Sequence, residues 1–160
     1  KVETDAGGDG ITLNIGENEL ALLLQAIFHN TAAEVVKDER GKKSILGTPT
    51  ESAILEYGLL LGGNIDKQIR DCKLVKVEPF NSEKKTMSVL IALPDGKNRA
   101  FCKGAAEIVF EMCDRFIDLN GEIVHLTENR PRNIVNVINE FTRESLRTLC
   151  LAYKDIEDGN

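Results

Sequence analysis

The stretch LVKVEPFNSEKKTMSVLIALPDGKNRAFCK, residues 74–103, decides the fold. Its apolar residues fall in three short runs, which begin at Leu74, Met87 and Ala100 and in which the period changes from that of a helix to two. A period of two is typical of β-strands that bury one face. The second connection contains an Asp-Gly pair, which favours a tight hairpin turn. The stretch therefore predicts three strands, the last two paired antiparallel.

Helices and further strands are predicted on either side of this stretch. Apolar residues recur at helical spacing over residues 17–30, 49–61, 65–71, 105–113 and 129–145. Asn18 is expected to cap the first helix. The second helix is expected to be capped by Thr48 or Thr50, with Pro49 in its first turn. Two-residue periods predict hairpins over residues 34–46 and 116–126 and a final strand over residues 147–154.

The sum of these elements is a mixed α/β (α+β) domain, in which helices flank a mainly antiparallel, twisted sheet. Residues 1–16 contain several glycines and no sustained period, so we expect a flexible N-terminal segment. Residues 17–157 are expected to form a single domain, and residues 158–160 an exit tail. A chain of 160 residues is long enough to bury one core without disulfides.

Composition excludes several classes of partner. The chain has 20 Lys and Arg against 26 Asp and Glu, so its formal net charge is −6. Nucleic acids and anionic membranes attract clustered cations in excess, and neither is an expected partner. No apolar run approaches the roughly 20 residues that a membrane helix needs. No signal-peptide pattern follows Lys1, and we expect the chain to be a piece of a longer protein. We also expect this piece to be a monomer.

Familiar catalytic and metal-binding patterns are absent from the sequence. The two histidines, His29 and His125, have no nucleophile pattern around them. The four cysteines form no CxxC pair and lie in apolar surroundings, which favours buried free thiols. Neither G-x-G-x-x-G nor G-x-x-x-x-G-K-[ST] occurs, so a nucleotide site would be of another kind. We predict no metal site and no catalytic residue.

Three segments nevertheless combine residues that suit a flat anionic ligand. Phe80 lies in a polar connection, Lys103 and Gly104 interrupt the end of an apolar strand, and Arg147 opens another apolar strand. An exposed aromatic ring offers a stacking surface, glycine allows close approach to the backbone, and cations neutralise phosphate. Each residue taken alone is also explained by packing or by solvation, and only the combination favours a ligand site.

Four sequence blocks occur in an order that resembles a known domain. TPTE (48–51), KVEPFNSEKKTMSV (76–89), FCKGAAE (101–107) and LRTLCLAYKD (146–155) together resemble the nucleotide-binding (N) domain of P-type ATPases. The second block is similar to the group IIB calcium pumps, and the phrases EPFNSEKKTMSVLIALPDG and LEYGLLLGG most resemble the plant autoinhibited, calmodulin-regulated calcium ATPases. The similarity extends from about Gly16 to Glu157.

The resemblance implies an adenine site. Glu51 is similar to the acidic residue that accepts a hydrogen bond from the exocyclic amine of adenine, with Thr50 beside it. Phe80 resembles the aromatic residue on which adenine stacks, and Met87 the apolar wall of the same slot. Leu149 resembles a residue that faces the base.

The resemblance also implies a phosphate end. Lys85 is similar to a lysine that lines the pocket, and Arg147 to an arginine that reaches the phosphates. Lys103 resembles the lysine of a Lys-Gly-Ala motif at the mouth of the pocket, with Gly104 and Ala105 as its floor.

Position 82 differs from related pumps, in which an arginine stands two residues after the stacking Phe. Here the residue is Ser82, which removes one phosphate contact and leaves Lys84 or Lys85 as substitutes. Regulatory or protein-interaction domains with a degenerate nucleotide site are therefore an alternative. A free-standing small enzyme is a third interpretation.

The function implied is that of the ATP-binding part of a calcium-transporting translocase. ATP would bind with Mg²⁺, and the γ-phosphate would go to an aspartate in an Asp-Lys-Thr-Gly-Thr motif, which this sequence lacks. The fragment is therefore expected to bind ATP without hydrolysing it, with a Kd on the order of 0.1–1 mM. Expected partners are the phosphorylation and actuator domains and a calmodulin-binding autoinhibitory segment, on the cytosolic side of the plasma membrane or an endomembrane.

Overall fold

A computed structural model describes residues 2–4, 11–118, 120–126 and 131–157. Its helices are α1 (Glu17–His29), α2 (Pro49–Leu60), α3 (Ile65–Asp71), α4 (Ala106–Met112) and α5 (Arg132–Arg143). Its strands are β1 (Val2–Thr4), β2 (Ile11–Leu13), β3 (Glu34–Lys37), β4 (Lys43–Leu46), β5 (Lys73–Asn81), β6 (Thr86–Ala92), β7 (Asn98–Ala105), β8 (Arg115–Ile117), β9 (Ile123–His125) and β10 (Leu149–Ile156).

The largest sheet has four strands in the order β10-β7-β6-β5, and every neighbouring pair is antiparallel. Three further antiparallel pairs, β1-β2, β3-β4 and β8-β9, stand apart from it. This arrangement of helices and an antiparallel sheet confirms the predicted fold class. Gly96 and Gly121 have positive φ at the turns of two hairpins, a conformation that glycine adopts without strain.

Local sequence sets the start of α2. Thr48 is the N-cap, its side chain accepts a hydrogen bond from the backbone N–H of Glu51 at 3.3 Å, and Pro49 occupies the first turn. These are the residue types that satisfy and preorganise a helix start. The cap places Glu51 in the first turn of α2, beside the site described below.

Two local predictions differ from the structure. Gly16, not Asn18, is the N-cap of α1, and no side chain caps that helix. The first segment, predicted to lack secondary structure, contains the short pairs Val2↔Leu13 and Thr4↔Ile11. A three-residue strand is too short to produce a recognisable period. The pairing of β1 with β2 was therefore not predicted. The predicted exit tail, 158–160, lies outside the described residues.

The main core lies on one face of the four-stranded sheet. Alternate residues of β6 and β7 point to that face and pack with Ala26 of α1. These residues are Met87, Val89, Ile91 and Phe101. We call it the α1 face. Leu55 of α2 joins a second buried cluster with Ile27 and Phe28 of α1. The two clusters fix α1 and α2 over the sheet.

The opposite face, which we call the α4 face, packs against α4. A Cβ atom added to Gly104 would overlap the carbonyl oxygen of Lys85 and lie 3.2 Å from a methyl group of Val109 in α4. Gly104 therefore points to the α4 face, and so do Cys102 and Cys150, by the strand register. Val109 itself is fully buried.

Candidate nucleotide site

A buried ion pair lies at one end of the α1 face. Lys103 of β7 is only 4% exposed, and its Nζ lies 2.6 Å from Oε2 of Glu51. The same Nζ donates a hydrogen bond to the backbone carbonyl of Asn30 at 2.6 Å. Two of the three N–H groups of the ammonium thus have acceptors among the described residues.

Glu51 is held by one oxygen. Its Oε2 accepts hydrogen bonds from the Thr31 hydroxyl at 3.4 Å and from the Ala32 N–H at 3.3 Å, besides the bond from Lys103. Its Oε1 accepts no hydrogen bond from any residue that the structure describes. The carboxylate is therefore fixed in place through its Oε2 atom.

Asn30 connects this pair to the neighbouring strand. It follows the last residue of α1, and its side-chain Nδ2 donates to the carbonyl oxygen of Met87 in β6 at 3.1 Å. Asn30 is 1% exposed, and its Oδ1 has no hydrogen-bond partner within the described part of the chain. An unpaired buried acceptor costs about 1–3 kcal/mol, so this residue is retained at a cost.

The strand register lines up several predicted site residues. Met87 pairs with Lys103, and Lys103 pairs with Leu151, so the three residues cross the α1 face in one row. Ala105 and Leu149 pair in the row at the end of the sheet, on the same face as Lys103. Met87 and Lys103 are buried, whereas Leu149 is exposed. The surface that results has a buried floor and an open rim.

A bulge in β5 presents Phe80 at this end of the sheet. Glu78 pairs with Ser88 and Asn81 with Thr86, so Pro79 and Phe80 both stand opposite a single residue, Met87. Such a two-against-one bulge bends a strand and re-aims its side chains. Phe80 is 61% exposed, which is unusual for an aromatic residue in a sheet. It lies within β5, not in the loop that the sequence predicted.

The turn after β5 carries the exposed Ser82 and Lys85. Lys85 has a positive φ of 58°, and its backbone N–H donates to the Asn81 carbonyl. The Asn81 side chain accepts from the N–H groups of Glu83 and Lys84 and so shapes the turn. The turn therefore brings two exposed lysines to the end of the sheet where Lys103 is buried.

Other predicted residues lie farther from the ion pair or face away. Thr50 is half-buried beside Glu51, and Arg147 is exposed in the segment just before β10. Gly104 faces α4, so close packing accounts for the absence of a side chain there. Lys103 was predicted to lie at the mouth of a pocket. In the structure it is buried more deeply, because its ammonium contacts Glu51 and the backbone carbonyl of Asn30.

Sequence reasoning missed Asn30, Thr31 and Ala32, which contact Glu51, Met87 or Lys103. Their partners lie between 19 and 73 residues away in the chain, so no local spacing reveals them. The signal in the sequence for Asn30 was its place directly after α1, whose last turn contains the apolar residues Ile27 and Phe28.

An open depression of about 270 Å³ lies beside β5 and is lined by Pro79, Asn81, Thr86, Ser88 and Lys84. Lys84 is one of the two lysines predicted to substitute for the missing arginine, whereas Glu51, Phe80 and Lys103 do not line the depression. The described residues contain no group of three or more His, Cys, Asp or Glu side chains placed to hold a metal ion. They also contain no helix long and apolar enough to span a membrane.

Comparison with known proteins identifies the family. A profile described as P-type ATPase, cytoplasmic domain N, matches residues 19–160. The chain belongs to this family. The resemblance inferred from four sequence blocks is therefore confirmed.

Domain N of this chain is similar to plant calcium pumps. It is 56% identical over 151 residues to calcium-transporting ATPase 4, plasma membrane-type, of Arabidopsis thaliana, a match that covers 94% of this chain and 15% of the relative. It is 56% identical over 144 residues to probable calcium-transporting ATPase 9 of Oryza sativa, covering 90% of this chain and 14% of that protein. The chain thus spans about one-seventh of the length of the relatives it matches.

Proposed function

We propose that this domain N binds ATP within a calcium-transporting P-type ATPase and presents the γ-phosphate to a catalytic aspartate on a separate phosphorylation domain. One observation supports the proposal most. An exposed aromatic residue, Phe80, and a buried pair of opposite charges, Glu51 and Lys103, occur at the same end of the sheet. A binding slot for a nucleotide needs an apolar surface together with a few fixed polar groups.

The base is proposed to stack on Phe80 between the rows of Met87 and Leu149. Stacking of a base on an aromatic ring contributes about 1–3 kcal/mol. The open Oε1 of Glu51 would accept a hydrogen bond from the exocyclic amine of adenine. Because its other oxygen is already bound, the carboxylate would lose little conformational entropy when the nucleotide arrives.

The phosphates are proposed to extend toward Lys85 and Arg147, with Mg²⁺ accompanying ATP. Both side chains are exposed, and exposed charge-assisted contacts contribute about 1 kcal/mol or less each. Lys103 would offer its remaining N–H group. The sum agrees with a weak site, with a Kd on the order of 0.1–1 mM. Weak binding suits a domain that must release ADP in every cycle.

The wider setting is part of the same proposal. In a pump, this domain would lie on the cytosolic side of the membrane and work with the phosphorylation and actuator domains. The match to plasma membrane-type relatives supports this setting. Contact with a calmodulin-binding autoinhibitory segment and a monomeric state remain predictions.

Titration with ATP tests the proposal. In ¹⁵N NMR spectra of the chain, ATP is expected to give saturable shifts around Phe80, Lys103 and Arg147 at millimolar concentration. Tripolyphosphate, which has no base, is the matched ligand control and should leave Phe80 unshifted. The absence of saturable shifts up to several millimolar ATP would refute the proposal.

A degenerate site in a regulatory domain is the second candidate. Ser82 occupies the position of an arginine in related pumps, and Glu51 already engages Lys103 inside the protein. The two candidates differ in thermal melting. A ligand at 100 times its Kd stabilises a protein by about 2.7 kcal/mol, so a functional site requires a rise in Tm with ATP. No rise would favour the regulatory candidate.

A further inference from the structure

Asn30 makes two separate contacts with the candidate site. Its side-chain Nδ2 donates to the Met87 carbonyl in β6, and its own backbone carbonyl accepts from Nζ of Lys103 in β7. Both bonds join residues more than 50 positions apart in the chain. Asn30 is also almost completely buried. A single residue thus joins the end of α1 to two strands of the sheet.

The carbonyl of Asn30 is suited to a cation. It lies at the carboxyl end of the 13-residue helix α1, where backbone carbonyls lack partners within the helix and carry a partial negative charge. Lys103 satisfies one of these carbonyls. The position of the ammonium therefore depends on where the end of α1 is held.

We infer that Asn30 is a positioning residue: its side chain anchors the end of α1 to Met87, and this anchor sets the place of the Lys103 ammonium for the nucleotide. The inference rests on the proposed function. Without the Nδ2 bond, the last turn of α1 has no polar anchor on β6 among the described residues. The Asn30 carbonyl then moves relative to β7, and Lys103 loses a fixed acceptor while Glu51 remains.

The buried ammonium itself supplies a signal that is independent of nucleotide. In the chain labelled with ¹⁵N-lysine, the Nζ protons of Lys103 are expected to exchange slowly with water, and Lys103→Arg assigns the signal by its loss. Asn30→Ala should accelerate this exchange toward that of exposed lysines such as Lys84. Asn30→Ser, a milder change, should give an intermediate rate if Asn30→Ala does not fold.

Asn64→Ala is the matched control. Asn64 also stands at a helix end, where its side chain accepts a hydrogen bond from the Lys67 N–H at 3.1 Å. Its described hydrogen bonds do not involve Glu51, Met87 or Lys103. The control should lower Tm without changing the Lys103 signal. Loss of stability alone therefore cannot imitate the expected result.

Nucleotide affinity gives the second readout. Asn30→Ala is expected to weaken ATP binding about tenfold, but less than twofold when Lys103→Met is already present, because residues that act through one another are not additive. Equal losses in the two backgrounds, or an unchanged Lys103 signal in both Asn30 variants, would overturn the inference. If the unaltered chain fails to bind ATP, the proposed function falls, and the ammonium signal still decides whether Asn30 positions Lys103.

Discussion

The two faces of the four-stranded sheet bury different kinds of polar side chain. The α1 face encloses an ammonium and a carboxylate, Lys103 and Glu51. The α4 face carries thiols, and burial raises the pKa of the Cys150 thiol to about 12, an effect that the neighbouring Cys113 and Cys102 reinforce. The Cys150 thiol therefore stays neutral near pH 7 and places no charge in the interior of that face.

From this difference we expect that the ion pair is not required for a stable sheet. Removing two charges from water costs several kcal/mol per ion, and well-packed apolar residues often do as well or better. Next to α4, the α4 face carries the small residues Cys102, Gly104 and Cys150, whereas Lys76 and Glu78 lie farther along the same face, in β5. A buried ion pair is therefore weak evidence for stability, and the proposed nucleotide site offers another reason for its charges.

Breaking the pair is expected to give the largest effect. Glu51→Leu leaves the Lys103 ammonium buried without its counter-ion, and the free energy of unfolding should fall by about 3 kcal/mol. Urea denaturation monitored by circular dichroism measures the change.

The double variant Glu51→Leu/Lys103→Met sharpens the comparison, because it removes the buried ion pair from the α1 face. It should recover most of the lost stability, while ATP binding stays weaker than in the unaltered chain. A double variant no more stable than Glu51→Leu would show that the pair contributes to folding in its own right.

Gly104→Ala tests the packing of the α4 face. The new Cβ would overlap the Lys85 carbonyl oxygen and lie 3.1 Å from a methyl group of Thr86, and a backbone oxygen cannot rotate away. Overpacking of this kind costs about 2 kcal/mol. Thermal unfolding measures it.

Gly41→Ala is the control for backbone strain alone. Gly41 has a φ of +78° and nothing within 4 Å of an added Cβ, so the cost should be about 1 kcal/mol. A Gly104 variant as stable as the Gly41 variant would contradict the close packing of the α4 face.

The smallest expected effect is a pH dependence at the border of the α1 face. Burial lowers the pKa of His29 below its usual 6.5, and a hydrogen bond with Gln68 opposes this only in part. As pH falls below 6.5 the unfolded chain takes up a proton that the folded chain resists, so stability decreases. His29→Gln should remove this part of the decrease between pH 7 and 5.

Chemical denaturation at each pH gives the comparison, with His125→Gln as control because His125 is exposed. If both variants lose stability in parallel with the unaltered chain, His29 has no part in the decrease.

Much of the fold could be predicted because its signals are local. The alternation after Met87, the Asp95-Gly96 turn and the Thr48-Pro49 helix start each depend on a few adjacent residues. The predicted N-cap of α1, Asn18, was wrong because the observed N-cap, Gly16, has no side chain that could indicate a cap. The β5 bulge was also missed, since its extra residue is visible only from the pairing of both strands.

The site was less predictable than the fold. Local sequence singled out Phe80 and Lys103, and resemblance to a family added Glu51, but neither revealed the burial of Lys103 or its acceptors. Those depend on where α1 ends relative to β7, which packing of the whole core decides. Asn30 and Thr31 contact the site only through this tertiary arrangement.

The central claim, that this domain binds ATP with its base on Phe80 and its phosphates toward Arg147, is tested most directly by comparing adenosine with ATP. Calorimetric or NMR titration of two variants gives the comparison. Phe80→Ala should weaken both ligands alike, on the order of tenfold for a lost stacking contact, whereas Arg147→Ala should weaken ATP and leave adenosine unchanged. Equal losses of both ligands in both variants would contradict the account.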